Sequence, residues 1–231
     1  MQKPKLLIVD KHQFGYLIDV YKWCKYLRNE YDITVLCFDS GDKKQDLEGV
    51  NVRYVGYGGT VAIRGIRFVL QALWQILTFK GIVLVDYFKH CIWLKKLLPF
   101  KKMILDVRTI AVWGTQQDRD KYDGEIERAC KKYDVVSVIS KGVMKRLNRT
   151  LDNTHILPLG ADVISDTDKK IDSLRLIYVG TFDDRQIDKT IRAVSELHRQ
   201  FPAVPQSYHE QNFDIRLLDM NQGNFGMPLL Y

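Results

Sequence analysis

The sequence predicts an α/β fold in which one parallel sheet is covered by helices on both faces and is followed by the start of a second unit. Short apolar runs with the composition of buried strands alternate with longer segments of helical periodicity. The connections between them are short, as in sheets built from strand–helix–strand units. A mostly polar segment, 163–173, then separates this series from one further strand and helix that begin at Leu174.

Each predicted strand is a short, mostly apolar run, and the first and fourth of them lead into or end in an aspartate. A strand that is apolar at nearly every position is buried on both faces, which is typical of parallel sheets. The predicted strands are Lys5–Val9, Ile33–Phe38, Asn51–Val55, Ile82–Asp86, Lys102–Val107, Val135–Ile139 and His155–Leu157.

The predicted helices carry apolar residues at helical spacing, such as Val20, Cys24 and Leu27 in the first of them. Ser140 is expected to cap the helix that follows it. Pro99 is expected to stop the helix that precedes it. The predicted helices are Tyr16–Leu27, Ile66–Phe79, His90–Leu98, Asp118–Tyr133 and Lys141–Asn148.

Polar residues follow several of the predicted strands. Ligands of parallel α/β sheets bind beyond the carboxyl ends of the strands. The residues placed there by this reading are therefore candidates for a site. They are Asp10, His12, Gly15, Asp86, Asp106, Arg108 and Ser140.

The net charge of +7 is unevenly distributed along the 231 residues. Residues 1–150 contain 27 Lys and Arg against 16 Asp and Glu, whereas residues 151–231 contain 8 against 12. The basic part could favour an anionic partner such as a membrane surface, a lipid-linked phosphate or nucleic acid, or it could form solvated helix faces. Nucleic acid is the weakest alternative, because the basic residues are not interleaved with aromatic ones. We therefore expect no nucleic-acid partner and leave peripheral membrane contact open.

The cysteines and the apolar segments indicate a cytoplasmic protein. The first residues run directly into a strand without a secretory signal. The region Phe68–Phe88 is too interrupted by polar residues for a membrane span. Any peripheral contact would then be at the inner face of the membrane. Four scattered cysteines without a CxxC pair are predicted to be buried thiols: Cys24, Cys37, Cys91 and Cys130.

Several common catalytic motifs are absent from the sequence. The loop after the first strand, DKHQFGY, has one glycine instead of G-x-G-x-x-G, which counts against a dinucleotide dehydrogenase. The sequence also has no G-x-x-x-x-G-K-[ST] phosphate loop, no H-E-x-x-H or cysteine pair for a metal, and no G-x-S-x-G elbow. We therefore expect no metal and no bound cofactor.

Three segments, in this order, resemble glycosyltransferases of the GT-B fold, in particular the large retaining family 4. YDVVSVISKGVMKRL (Tyr133–Leu147) is similar to that family's strand–serine–helix segment. ILPLGAD (Ile156–Asp162) resembles the turn that ends its first domain, and LIYVGTFDDRQIDKTIRAVSEL (Leu176–Leu197) resembles the opening of its second. KKMILDVRT (Lys101–Thr109) looks like the D-x-R segment of members that build bacterial surface polysaccharides.

The resemblance implies a Rossmann-type acceptor domain at 1–162, a hinge at 163–173 and an incomplete donor-binding domain at 174–231. It implies transfer of a sugar, with retention, from a nucleotide-sugar donor to a saccharide or lipid-linked acceptor in cell-surface polysaccharide biosynthesis. The nucleotide-sugar is then a substrate and not a cofactor. Without a metal, the charge of the leaving diphosphate must be met by cations, backbone N–H groups and a helix N-terminus.

The resemblance also implies which residues bind the donor. Gly180 matches the glycine after the first strand of the second domain, and Arg185 falls near the basic diphosphate-binding residue. Thr181 stands where many members have arginine, so Lys189 is either a substitute cation or a solvated residue. Gly15 would match the first-domain loop that approaches the donor phosphate or the acceptor.

The same resemblance assigns catalytic candidates to the first domain. Asp106 and Arg108 would position acceptor hydroxyls, or they would form a structural pair at the end of the sheet. His12 would contact the substrate on the same rim, or it would be a surface loop histidine.

After Phe201 the sequence departs from the family pattern. Only 30 residues follow, and Glu210 lacks the second glutamate of the family's E-x7-E motif. We therefore expect a truncated, impaired enzyme or one part of a two-chain enzyme. Two other hypotheses stay open: a non-catalytic α/β subunit that needs a second polypeptide, and an unrelated doubly wound protein such as a dehydrogenase or epimerase. The last one predicts that the Leu176 strand joins the first sheet, whereas the GT-B resemblance predicts that it lies outside.

Overall fold

The computed structural model describes residues 2–56, 58–148, 152–160, 162–163, 175–180, 187–200 and 214–219. The chain divides into two units, Met1–Ala161 and Asp162–Tyr231. Each unit is described by itself below. The predicted hinge, 163–173, lies outside the described residues apart from Val163.

The first unit is built on an all-parallel sheet of seven strands. The strands are β1 (Lys5–Val9), β2 (Asp32–Asp39), β3 (Val50–Gly56), β4 (Ile82–Asp86), β5 (Ile104–Val107), β6 (Val135–Val138) and β7 (Thr154–Ile156). They lie in the order β3-β2-β1-β4-β5-β6-β7, with Leu7 of β1 paired to Thr34 of β2 on one side and to Val83 of β4 on the other. The predicted α/β class with a parallel, Rossmann-like sheet is confirmed.

Helices cover both faces of this sheet. They are α1 (Ile18–Leu27), α2 (Val61–Thr78), α3 (Ile92–Leu97), α4 (Gln116–Cys130) and α5 (Lys141–Arg146). Leu6 and Ile8 pack with α1 in one core, whereas Leu7 and Val9 pack with α2 to α5 in the other. The alternation follows from the strand period of two, which sends neighbouring side chains to opposite faces. Each fully buried aliphatic side chain contributes about 1.5–3 kcal/mol relative to exposure.

The four cysteines are buried thiols, as the sequence predicts. Burial raises the pKa of Cys24 to about 12, and the nearby negative charge of Asp10 adds to the shift. Burial also raises the pKa of Cys37 and of Cys91 to about 12. Because only the thiolate is a strong nucleophile or metal ligand, these cysteines are packing residues.

Helix boundaries differ from the prediction where capping residues decide them. Helix α2 begins at Val61, five residues before the predicted start, because the Thr60 side chain accepts a hydrogen bond from the backbone N–H of Ile63. Helix α3 begins at Ile92, two residues late, because His90 adopts the left-handed conformation with φ of 77°.

Helix α2 is, within the described part of the chain, the one helix long and apolar enough to cross a membrane, judged by length and composition alone. It has 18 residues. Phe68, Ala72 and Ile76 form its buried side and pack in the core described above. Only 17% of the residues of this helix are buried, so most of its surface is exposed.

The second unit contains β8 (Arg175–Gly180), α6 (Ile187–Gln200) and β9 (Asp214–Asp219) among its described residues. Strands β8 and β9 pair in parallel, with Ile177 opposite Arg216. They form a two-stranded sheet that is separate from the seven-stranded one. The Leu176 strand therefore lies outside the first sheet, which contradicts the single-sheet alternative.

Candidate functional site

The strand order creates a crevice between β1 and β4. The chain moves outward from β1 through β2 to β3, and then returns to place β4 on the other side of β1. The connections after β1 and β4 therefore leave the sheet in opposite directions. In doubly wound folds such a switch point is where ligands bind. A cluster of polar residues occupies this position.

Asp10, His12 and Asp86 meet at the carboxyl ends of β1 and β4. Asp10 is 1% exposed, and its Oδ1 accepts hydrogen bonds from the backbone N–H and from ring Nδ1 of His12, both at 2.9 Å. Asp86 is 5% exposed, and its carboxylate accepts no hydrogen bond from any residue that the structure describes. The three side chains place ligand-type atoms within 4.8 Å of one another. The trio could hold one divalent cation or share one proton between its carboxylates.

The electrostatic surroundings favour the protonated form of Asp86. Burial is the largest cause that holds the pKa of Asp86 well above its ordinary value, and the charges of Asp10 and Asp106 act in the same direction. Arg108 and Lys11 oppose the shift. Two carboxylates this close rarely ionise together without a cation. Asp86 is therefore the group of the cluster whose charge is least compensated.

Arg108 is held in place at the end of the neighbouring strand, β5. Its Nε donates to Oδ2 of Asp106 at 2.7 Å, and its Nη1 donates to the Leu157 carbonyl at 2.8 Å. The guanidinium carbon lies 4.6 Å from the centre of the Trp23 ring, and Nε lies 3.8 Å from Oδ2 of Asp19. Among the described residues these contacts use two of the five N–H donors of the guanidinium. The remaining donors could bind an anionic or hydroxyl-bearing ligand.

Asp106 acts through Arg108 in this arrangement. It is fully buried, and it accepts a hydrogen bond from Ser137 Oγ besides the one from Arg108. Burial raises the pKa of Asp106, while Ser137 and Arg108 oppose the shift. Because its oxygens face protein groups, Asp106 is a positioning residue for Arg108. The sequence left substrate positioning and a structural pair open, and the structure combines Asp106 and Arg108 as a pair.

The loop between β1 and α1 is fixed by Gln13. Its Oε1 accepts the backbone N–H of Ser40 at 2.9 Å, and its Nε2 donates to the Asp42 carbonyl at 2.8 Å. Gly15 has a φ of 88°, and a Cβ there would collide with the side chain of Gln45. Both features explain the glycine structurally. Its predicted contact with a donor phosphate or acceptor stays a prediction.

The predicted donor-binding residues belong to the second unit. Gly180 is the last residue of β8 and pairs with Asp219. Lys189 lies in the first turn of α6 and is exposed. Arg185 lies outside the described residues. The structure thus brings His12, Asp106 and Arg108 to one edge of the first sheet, and the donor site stays a prediction.

The sequence did not single out all the residues of this cluster. Asp10 and Asp86 are candidates by their position at strand ends, but the sequence assigns neither of them a catalytic or binding role. Their signal was the aspartate at the end of two buried strands. Ser137, Trp23 and Asp19 left no such signal, because each serves the site only through its contact with Asp106 or Arg108.

A groove of ≈ 930 Å³ begins beside Lys11 and His12. Its walls come from α2 and from residues 88–97, and they are mostly apolar. His12 has 31% of its side chain exposed and therefore faces both the polar cluster and open space. A ligand with a polar head and an apolar body would match the two regions.

Two comparisons with known proteins found no relative. A scan of the sequence against protein-family models found no match. A search of curated proteins found no significant match either. What the structure shows is the architecture alone: an α/β chain with a seven-stranded, Rossmann-like parallel sheet that is compatible with the GT-B fold.

Proposed function

We propose that the chain is a glycosyltransferase that moves a sugar, with retention, from a nucleotide-sugar donor to a saccharide or lipid-linked acceptor in the assembly of cell-surface polysaccharide. The observation that carries this proposal is Arg108, fixed by Asp106 and Leu157 beside the switch-point crevice. Within the D-x-R segment, Asp106 thus holds the positively charged guanidinium of Arg108 at the rim of the sheet. The separate β8–β9 sheet also supports a two-domain arrangement.

In this proposal the first unit binds the acceptor. Asp10 orients His12 through Nδ1, which leaves Nε2 to accept a hydrogen bond from an acceptor hydroxyl. The free donors of Arg108 fix a second oxygen of the acceptor. The acceptor oxygen forms a bond to the anomeric carbon, the bond from that carbon to the diphosphate breaks, and the hydroxyl proton leaves with the diphosphate.

The second unit would hold the donor through Gly180, Arg185 and Lys189. A glycine at the end of β8 lets the backbone approach an anion, and cations near the start of α6 favour a diphosphate. No metal or cofactor is needed in this scheme. The reaction would take place at the cytoplasmic face of the membrane if the acceptor is lipid-linked.

The test is release of nucleoside diphosphate from a panel of nucleotide-sugars, with and without saccharide and lipid-linked acceptors. We expect His12→Gln and Arg108→Lys each to reduce turnover by about a hundredfold. His155→Gln is the matched control, since His155 is exposed in β7. Donor binding without turnover would point to a missing acceptor, whereas absence of donor binding across the panel would contradict the proposal.

The alternative is a non-catalytic α/β subunit, or one part of an enzyme completed by a second polypeptide. The same assay distinguishes it. This alternative predicts that the chain alone binds no nucleotide-sugar, and that binding is regained when the second polypeptide is added.

A further inference from the structure

The outward side of α2 is a second apolar stripe. Its members recur at intervals of three or four residues and are 46–64% exposed: Ile63, Ile66, Leu70, Trp74 and Leu77. At 100° per residue this stripe lies opposite Phe68, Ala72 and Ile76, which pack in the core. A helix on the surface of a water-soluble domain has one apolar stripe facing the core. The second stripe, called here the α2 outer face, therefore needs a partner.

The apolar surface continues from the α2 outer face across the groove to α3. Trp93 and Leu97 are 48% and 56% exposed, and both line the groove together with Ile66 and Leu70. Phe100, just after α3, is also exposed. The patch is therefore contiguous over two helices, which distinguishes it from the scattered apolar residues of ordinary surfaces.

Positive charge accompanies this patch. Residues 61–102 contain eight Lys and Arg and a single acidic residue, Asp86, which is buried in the crevice. One of the eight, Lys95, is buried and paired with Asp134 at 2.7 Å. The others are exposed or half-buried: Arg64, Arg67, Lys80, Lys89, Lys96, Lys101 and Lys102. Lys96 lies 4.5 Å from the centre of the Trp93 ring, so cation and aromatic ring share one surface.

We propose that the α2 outer face, with Trp93 and Leu97, is a docking surface for an anionic phospholipid bilayer. Aliphatic side chains and tryptophan enter the boundary between headgroups and acyl chains, while lysine and arginine attract anionic headgroups. A second copy of the chain is a poorer occupant, since it would bring the same Lys and Arg residues against their equals. The inference is independent of the proposed function, because it needs neither donor nor acceptor.

Co-sedimentation of the full chain with vesicles tests the proposal. We expect binding to phosphatidylglycerol vesicles to exceed binding to phosphatidylcholine vesicles by about tenfold or more, and to weaken between about 0.1 and 0.5 M salt. Trp74→Glu should lower the affinity for phosphatidylglycerol by about tenfold. The matched control is Tyr26→Glu, which places the same charge at an exposed aromatic residue of α1 and should leave vesicle binding unchanged.

Tryptophan fluorescence supplies a second readout that does not depend on a charged substitution. Brominated lipid should quench the wild-type emission, and Trp74→Phe and Trp93→Phe should each remove part of the quenching. Trp113→Phe, at a similarly exposed residue outside the patch, should not. Equal binding by wild type and Trp74→Glu would overturn the proposal. So would an absence of vesicle binding combined with self-association that Trp74→Glu abolishes, since the occupant would then be a second copy.

Discussion

Three buried aspartates lie at the ends of neighbouring strands, and their partners differ. Asp10 has the ring and backbone of His12, whereas Asp106 has Ser137 and Arg108. Asp86 has no hydrogen-bond donor among the residues that the structure describes. Removing a carboxylate from water costs several kcal/mol unless partners replace the water. The buried Asp86 carboxylate therefore lowers the stability of the folded protein, and buried titratable groups of this kind are common at binding sites.

Replacing Asp86 with asparagine should stabilise the protein at neutral pH. Because burial and neighbouring charges raise the pKa of folded Asp86, the wild type loses stability as pH rises from the unfolded pKa through the folded one. Asparagine avoids this loss, and we expect a gain of about 1 kcal/mol at pH 7, or a rise in Tm of about 2–4 °C. Thermal melts in chelator should show the gain vanishing below about pH 4.

Asp118→Asn is the control with the opposite sign. Hydrogen bonds from the Thr115 side chain and backbone lower the pKa of Asp118, so its contribution is present at neutral pH and lost as pH falls through its folded pKa. This variant should lower Tm near pH 7 and change little in acid. A gain from Asp86→Asn that is constant at every pH would show that charge is not its cause.

Removing Arg108 should leave Asp106 buried without its cation. We expect Arg108→Met to destabilise the protein by about 3 kcal/mol, because an uncompensated buried charge is costly. The double variant Asp106→Asn/Arg108→Met should lose less than the sum of the two single variants. Urea denaturation of the four proteins measures this coupling, and strict additivity would mean that the pair contributes no interaction.

Among the elements, α4 shows how a local signal sets a boundary. Its first turn contains a capping box in which Thr115 Oγ1 accepts the backbone N–H of Asp118, while Asp118 accepts the backbone N–H of Thr115 at 3.0 Å. These bonds satisfy N–H groups that no helical carbonyl can reach. The helix therefore begins at Gln116 and not at the predicted Asp118.

Thr115→Ala should destabilise the protein by about 1 kcal/mol through loss of this cap. Urea denaturation followed by circular dichroism measures the effect. The control is Thr109→Ala, which removes a hydroxyl from an exposed threonine outside any cap. Equal losses in the two variants would argue against capping as the cause.

Helix α2 has apolar residues on two opposite sides. Its Phe68 side completes the larger core, and its Trp74 side faces away from it. The inner side is required for folding, whereas the outer side can be altered without opening the core. This separation makes the Trp74 variants informative about docking.

At the scale of the whole chain, the first unit contains its own sheet and both of its cores. We expect residues 1–161 expressed alone to fold and to unfold cooperatively, since the cores on both sheet faces lie within that range. Circular dichroism melts and amide-exchange spectra of the fragment and the full chain would check this. A fragment that fails to fold would show that residues beyond 161 are part of the core.

The sequence predicted the strands of the first sheet well, because a strand buried on both faces is a continuous apolar run. It also placed His12, Asp106 and Arg108 on one rim, since the carboxyl ends of parallel strands share one edge. It was less accurate at helix starts, where Thr60, His90 and Thr115 decide the boundary through hydrogen bonds or backbone conformation.

The amino-acid sequence alone determines the α/β class, the covered parallel sheet and the rim on which the polar residues lie, because these features depend on the local pattern of apolar residues. Only the tertiary structure decided which rim residues meet. Asp10 and Asp86 lie close together because the strand order places β4 beside β1 and not beside β3. Arg108 is held by the Trp23 ring and by the Leu157 carbonyl, which is 49 residues away along the chain. Such contacts arise from the order of strands, which no local pattern contains.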